Sequence, residues 1–403
     1  MLTRRLFMRG SALVMAGMGA APSWLARAAE ATGGKKKILV AIFQRGAADG
    51  LNIVVPFGEQ NYYKLRPNIA VQVPGGQNGS IDLDGFFALH PGLKDLKPLW
   101  DKQQLAIVQA TGSPDPSRSH FDAQDYMESG TPGKTTEDGW LNRALTPAGP
   151  QTSPVRAVAA GAQLPRTLRG TRAAIAISDS QQYQMGNQDS ANILENMYAT
   201  TTDQRLHSTG TDAFAALKII RNMNQQPFNQ QLNQQYNQGG ELGRGLMQIA
   251  KLIKSDVGVE TAFAEMGGWD HHGNEPGQMA NQLRQFGMAL SAFCQDMGDK
   301  MEDIVLVTMS EFGRTAQENG NNGTDHGHGN VMMVLGGPVR GGKVYGKWPG
   351  LAPEQLNEGR DLAVTTDFRT VLGEIVAGHL GQKNLDPVFP GFKQGEPLGL
   401  LKS

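Results

Sequence analysis

Cysteine is almost absent from this 403-residue chain. Cys294 stands alone, so no intrachain disulfide can form and stability must come from a large buried core. Neither sign of charge dominates. With 37 Lys and Arg against 38 Asp and Glu, there is no electrostatic footprint for nucleic acid or an anionic membrane. No segment beyond the N-terminal region is long and apolar enough to supply the ~20 residues that span a bilayer. Three signatures are also missing: the G-x-S-x-G elbow, H-E-x-x-H and the P-loop. Their absence removes α/β-hydrolase, zincin and NTPase readings. Glycine is in excess, at 51 residues, about one in eight against a norm of ~7%. A loop-rich globular protein follows, since 39% of residues are hydrophobic and 19% charged.

The N-terminus carries the sharpest local signal. Thr3-Arg4-Arg5-Leu6-Phe7-Met8-Arg9 sets a twin arginine before a modest apolar run from Ser11 to Ala21, and Ala26-Arg27-Ala28 supplies an A-x-A cleavage site. Residues 1–28 read as a twin-arginine export signal. Its removal takes four arginines and no acid, leaving 33 basic against 38 acidic residues, a net charge of −5. The expected mature protein is periplasmic, with no integral membrane segment and with the twin-arginine translocase as its partner during export. That route carries folded proteins, so it raises the expectation of a bound metal.

Apolar runs at Ile38–Phe43, Leu105–Ala110, Val155–Ala159, Ala173–Ser178, Thr261–Met266, Ile304–Thr308 and Val331–Leu335 read as buried parallel strands. Between them lie amphipathic helices. From Gln278 to Met301 an apolar residue recurs every three or four positions, and Phe368 to Leu380 repeats the pattern between Thr366 or Asp367 and Gly381. The fold class is therefore α/β: a large, mostly parallel sheet flanked by helices over residues 35–400. The Gln- and Asn-rich stretch beginning near residue 179 reads as a helical insertion reaching to about residue 250. In such sheets ligands sit at the carboxyl edge of the strands.

Five loops hold residue types that do chemistry. Asp270 and His272, on the Gly-rich turn after Met266, can reach one cation, and Asp325, His326 and His328 form a similar cluster before Val331. Mixed carboxylate and imidazole ligands suit zinc or manganese better than calcium. Glu311 is either a ligand or a base, and Arg314 either holds an anionic oxygen or pairs with Glu311 on the surface. Arg45 and Asp49 either serve an anion and a cation or pair with each other. Ser117, Ser119 and His120 offer a nucleophile and an acid–base partner, with a helix-capping serine as the structural alternative. Cys294 and His379 read as core residues, and His90 and His207 have no visible partners.

These motifs resemble a bacterial family of twin-arginine-exported proteins known as domain of unknown function 1501. The likeness rests on the export signal, Arg45-Gly46 with Asp49-Gly50, Ser117-Arg118-Ser119-His120-Phe121, Gly267 to His272, Ser310 to Arg314, and Asp325-His326-Gly327. That family in turn looks like a distant branch of the alkaline phosphatase and sulfatase superfamily. The second resemblance implies Asp49 as a metal ligand, Ser117 or Ser119 as nucleophile, Asp270 and His272 at one metal, and His326 or His328 as a further ligand. It places Glu311 and Phe312 where an Asp-His pair is usual, and phenylalanine cannot ligate a metal. The expectation is a metal-dependent hydrolase of a phosphate or sulfate ester, with Arg45 or Arg314 on the charged oxygens. The alternative is a non-catalytic envelope protein that keeps the fold for binding or assembly.

Overall fold

The computed structural model describes residues 37–402 apart from residue 77, residues 134–135 and 147–151, and most of 179–228. The expected export signal, His207 and much of the expected insertion lie outside the described residues.

Nine strands form the main sheet. In chain order they are β1 (Ile38–Gln44), β2 (Leu105–Gly112), β3 (Ala157–Ala160), β4 (Ile175–Ile177), β5 (Thr261–Met266), β6 (Ile304–Met309), β7 (Asn330–Gly336), β8 (Lys343–Tyr345) and β9 (Thr366–Asp367). Their spatial order is β8-β2-β7-β6-β1-β5-β3-β4, with β9 also against β2. Each of the seven apolar runs named above contributes a strand to this sheet, Val155–Ala159 and Ala173–Ser178 only through Ala157–Ala159 and Ile175–Ile177. Each residue of β1 is buried because the strand is covered on both faces. Ile38, Val40 and Ile42 enter one core, and Leu39, Ala41 and Phe43 the other.

The first core is closed by α4 (Gly240–Lys254) and α5 (Glu275–Met297), the second by α6 (Phe368–Gly378). On α5, Met279, Leu283, Phe286, Leu290 and Phe293 are buried, and each such side chain stabilises the fold by about 1.5–3 kcal/mol. The helix starts three residues before the expected Gln278 because Pro276 is tolerated in a first turn. It stops at Met297 because Gly298 turns to a φ of 50°, so Met301 is buried from a following 3₁₀ turn instead. Asp367 caps α6, its Oδ1 accepting from Arg369 N at 2.9 Å. Cys294 is buried, and burial pushes its thiol up to about 12. His379 is likewise a core residue, its Nε2 3.0 Å from Ile38 O. Where the expected insertion is described, the polar α3 (Gln230–Gln238) leads into α4, whose Leu242, Leu246 and Ile249 pack on the sheet. Among the described residues no helix is long and apolar enough to cross a membrane.

One strand departs from the expectation. Val331–Leu335 was expected to be parallel, yet β7 runs antiparallel to both β2 and β6. Residues 310–329 contain no helix to carry the chain back to the opposite edge, so the strand that follows must reverse. That reversal keeps the whole 310–329 segment at the edge where β1, β5 and β6 end.

Candidate metal centre

Three loops meet at that carboxyl edge. The first leads from β2 into α2 (His120–Ser129). Its backbone is wound by side chains: Ser117 N donates to Asp115 Oδ1, Ser119 N to Ser117 Oγ, and Asp122 N to the capping Ser119 Oγ. Arg118 anchors the loop through Asp361 Oδ2 at 2.6 Å and Glu358 Oε2 at 2.7 Å. His120 therefore projects from the first position of a fixed helix.

The second loop, after β5, is pinned by the buried Trp269, whose Nε1 donates to Met266 O at 2.9 Å. It presses against Gly46, where a Cβ would stand 2.7 Å from Asp270 N. Only glycine permits that approach, and Gly46 also has a φ of 117°. The third loop folds back on itself, Gly327 N donating to Gly313 O and Thr315 N to Asp325 O. A Cβ at Gly327 would meet Arg314 C at 2.3 Å, so this glycine lets His326 lie beside Arg314.

The three loops deliver His120, Asp270, His272 and His326 to one point. His326 Nε2 is 3.1 Å from His120 Nε2, 3.1 Å from His272 Nε2 and 3.1 Å from Asp270 Oδ1. His272 Nε2 lies 2.9 Å from Asp270 Oδ1, and His120 Nε2 lies 3.4 Å from Asp270 Oδ2. On the far side of each ring, Nδ1 faces an oxygen that accepts only. His120 Nδ1 is 2.8 Å from Glu311 Oε1, His272 Nδ1 is 3.2 Å from Asp325 Oδ1, and His326 Nδ1 is 3.1 Å from Arg118 O. Each neutral imidazole thus carries its proton on Nδ1 and a lone pair on Nε2. Three lone pairs and a carboxylate converge.

That arrangement fits a cation. Ligands held about 2.0–2.1 Å from zinc in a tetrahedron stand about 3.3 Å apart, close to the 3.1 Å and 3.4 Å spacings among His120, Asp270 and His326. His120, Asp270 and His326 each offer a ligand atom within 4.8 Å of the others, and His272 lies beside Asp270 and His326. The four side chains are between 25% and 47% exposed, so an ion and a substrate can reach them.

Charges around the point hold it in register. Burial opposes ionisation of Glu311, but hydrogen bonds from His120, Gln124 and the Gly46 backbone keep its carboxyl below the usual range. The Glu311 hydrogen bond raises His120, while burial lowers His326. Asp270 is held below the usual carboxylate range against its partial burial by Arg314, whose Nη1 donates to Oδ1 at 2.6 Å. Arg314 itself is buried, gripping Thr324 through Nε at 3.1 Å and through Nη2 to its carbonyl.

The sequence-derived candidates thus separate. Asp270, His272 and His326 stand at the point, and His120, expected as an acid–base partner, stands with them. Glu311 and Asp325 sit one shell out, on Nδ1 atoms. His328 points elsewhere, its Nε2 3.1 Å from Ser113 O. Asp49 is buried in a bidentate pair with Arg66. Arg45 is held by Glu265 at 2.6 Å and Glu128 at 3.0 Å rather than by Asp49. Arg314 pairs with Asp270 rather than with Glu311. Phe312 packs its ring 5.0 Å from that of His120 and 5.1 Å from that of His326, so it walls the histidines. His90, without visible partners in sequence, accepts from Gly92 N at 2.9 Å. Sequence reasoning missed Arg66, Gln124, Glu275 and Thr324, which carry no motif. Glu275, at the start of a helix just past the His272 loop, had the nearest thing to a signal.

Beyond Arg45 opens a cavity of about 510 Å³ whose charged lining includes Glu128, Arg166, Arg169, Glu241 and Glu265. A chain of hydrogen bonds runs from its rim toward His120: Arg45 Nη1 donates to Gln124 Oε1, and Gln124 Nε2 donates to Glu311 Oε1.

A family model described as "Protein of unknown function (DUF1501)" matches residues 36–383. No curated protein matches the chain.

Proposed function

The chain belongs to the DUF1501 family, and from that premise we propose that it is an exported, metal-dependent hydrolase acting on a phosphate or sulfate ester. One observation carries the reading: His120, Asp270 and His326 converge at ligand spacing with His272 beside Asp270 and His326, and every Nδ1 of the three rings is committed to an oxygen. The donor set of three imidazoles and one carboxylate suits zinc. When bound, a divalent cation supplies Lewis acidity toward an ester oxygen.

The chain's own residues do the rest. Glu311, Asp325 and the Arg118 carbonyl fix the ring orientations, and Arg314 fixes Asp270. Ser117 and Ser119 precede His120 on the same loop, where their hydroxyls accept from Ser119 N and Asp122 N, and one of them is the nucleophile of this reading. The cavity beside Arg45 has room for the remainder of the ester. Kinship with the alkaline phosphatase and sulfatase superfamily is supported by the loop positions, with Asp270 and His272 following β5 and His326 preceding β7. Periplasmic location rests on the twin arginine at Arg4-Arg5.

The alternative, a non-catalytic envelope protein, draws on a different observation. Arg45 and Arg314, the two guanidiniums expected to hold anionic oxygens, are both engaged by carboxylates. Metal analysis of the folded mature protein beside Asp270→Ala and His272→Ala, followed by a phosphate- and sulfate-ester screen, tests both. Stoichiometric metal with turnover lost in both variants is expected. Turnover unchanged in both would sink the hydrolase, and metal without turnover on any ester would favour the binding protein. Ser117→Ala and Ser119→Ala then identify the nucleophile.

A further inference from the structure

The carboxyl edge holds a second carboxylate cluster, deeper than the first and built on a different charge plan. Asp49, Asn52, Arg66 and Glu275 are all buried under the loop after β1. Arg66 spends all five of its N–H groups there. Nε donates to Ala316 O at 2.9 Å. Nη1 donates to Asp49 Oδ2 at 2.5 Å and Asn52 Oδ1 at 2.7 Å, and Nη2 to Asp49 Oδ1 at 3.1 Å and Thr315 O at 2.9 Å. Asp49 Oδ1 also accepts from Leu51 N at 3.2 Å. Glu275 accepts from Asn52 Nδ2 at 2.7 Å and from Thr324 Oγ1 at 2.8 Å, and its carboxyl also meets that of Asp49.

The two clusters are joined. Arg314 Nε donates to the Thr324 hydroxyl, that hydroxyl donates to Glu275, and Arg314 Nη1 donates to Asp270. They differ in how a guanidinium meets the carboxylate. Around Asp270 a single Arg314 N–H reaches one carboxylate oxygen, and the Nε2 lone pairs are left without committed donors. Around Asp49 a guanidinium is already seated in a planar fork that uses both carboxylate oxygens. A divalent ion at Asp49 would have to expel Arg66, whose Nε and Nη2 also hold the backbone carbonyls of Thr315 and Ala316.

We infer that this edge takes one divalent cation per chain, at His120, Asp270, His272 and His326, and that the Arg66 guanidinium is the permanent cation of the Asp49–Glu275 cluster. Asp49 is then an internal counter-ion and not a metal ligand. This deepens the metal reading above and rests on it.

The test counts metal rather than turnover. Mature protein is reconstituted with zinc and, separately, with manganese, freed of excess ion, and weighed intact by native mass spectrometry alongside elemental analysis. One ion per chain is expected, unchanged in Asp49→Asn and reduced in His272→Ala. Two ions per chain, or loss of an ion in a folded Asp49→Asn protein, overturns this inference and leaves the metal reading standing. No ion in the wild type overturns both. The wild-type count decides even where Asp49→Asn does not fold. Arg66→Ala tests the guanidinium itself: emptied of its cation, a folded variant should take up a second ion. A folded variant that stays at one shows that Arg66 does not act as the cluster's cation.

Discussion

The Nε2 atoms of His120 and His326 face each other 3.1 Å apart, while each ring holds its other nitrogen against an oxygen acceptor. Two lone pairs in that position repel, and one shared proton relieves only one contact of several. A cation relieves all of them. Zinc at a hundred times its dissociation constant should therefore stabilise the fold by about 2.7 kcal/mol, seen as a rise in unfolding temperature. His326→Ala should abolish that rise. An equal rise in the variant would place the ion elsewhere.

Glu311 fixes His120 through Nδ1, on the side of the ring away from the Nε2 cluster. Glu311→Gln should weaken metal binding roughly 10- to 100-fold, measured by competition with a chelator of known affinity. An unchanged affinity would mean that the His120 ring is held by the Phe312 wall alone.

Glu275 lies beside Asp49 in the core, where burial first and the Asp49 charge second push its carboxyl well above the ordinary range. The fold therefore favours its protonated form more than water does. Glu275→Gln should stay within about 1 kcal/mol of the parent in urea unfolding, whereas Glu275→Ala should lose about 2 kcal/mol or more by orphaning Asn52 and Thr324. Gln and Ala variants of equal instability would show that the negative charge itself is required.

Acid should weaken the protein in part through His90. Burial lowers this imidazole to about 4, and its Nδ1 accepts from Gly92 N, so the fold wants it neutral. Its contribution is intact above the unfolded value of about 6.5 and is lost as pH falls toward 4. Between pH 7.5 and 4.5 the loss is about 2–3 kcal/mol. His90→Asn keeps an acceptor for Gly92 N, so its stability should fall less over that range, read from urea midpoints at both pH values. Parallel losses in the two proteins would remove His90 as a cause.

By itself the sequence determined the strands, the main helices and which loops hold chemistry. Ile38–Phe43 and Ile304–Thr308 are continuous apolar runs, and such runs have no stable place but the inside of a sheet covered on both faces. Asp270, His272 and His326 stood out because carboxylate and imidazole are ligand chemistry wherever they occur together on a turn. Helix ends were less legible at α5, where Pro276 and Gly298 set the limits and apolar spacing did not. Tertiary structure decided what pairing means. That Asp49 meets Arg66, that His120 stands beside His326, and that Phe312 packs against both histidines depend on contacts across long stretches of chain. Asp49 and Arg66 are 17 residues apart, and His120 and His326 are 206 apart. No local pattern encodes those distances, because the direction of β7 and the packing of three loops on one edge create them.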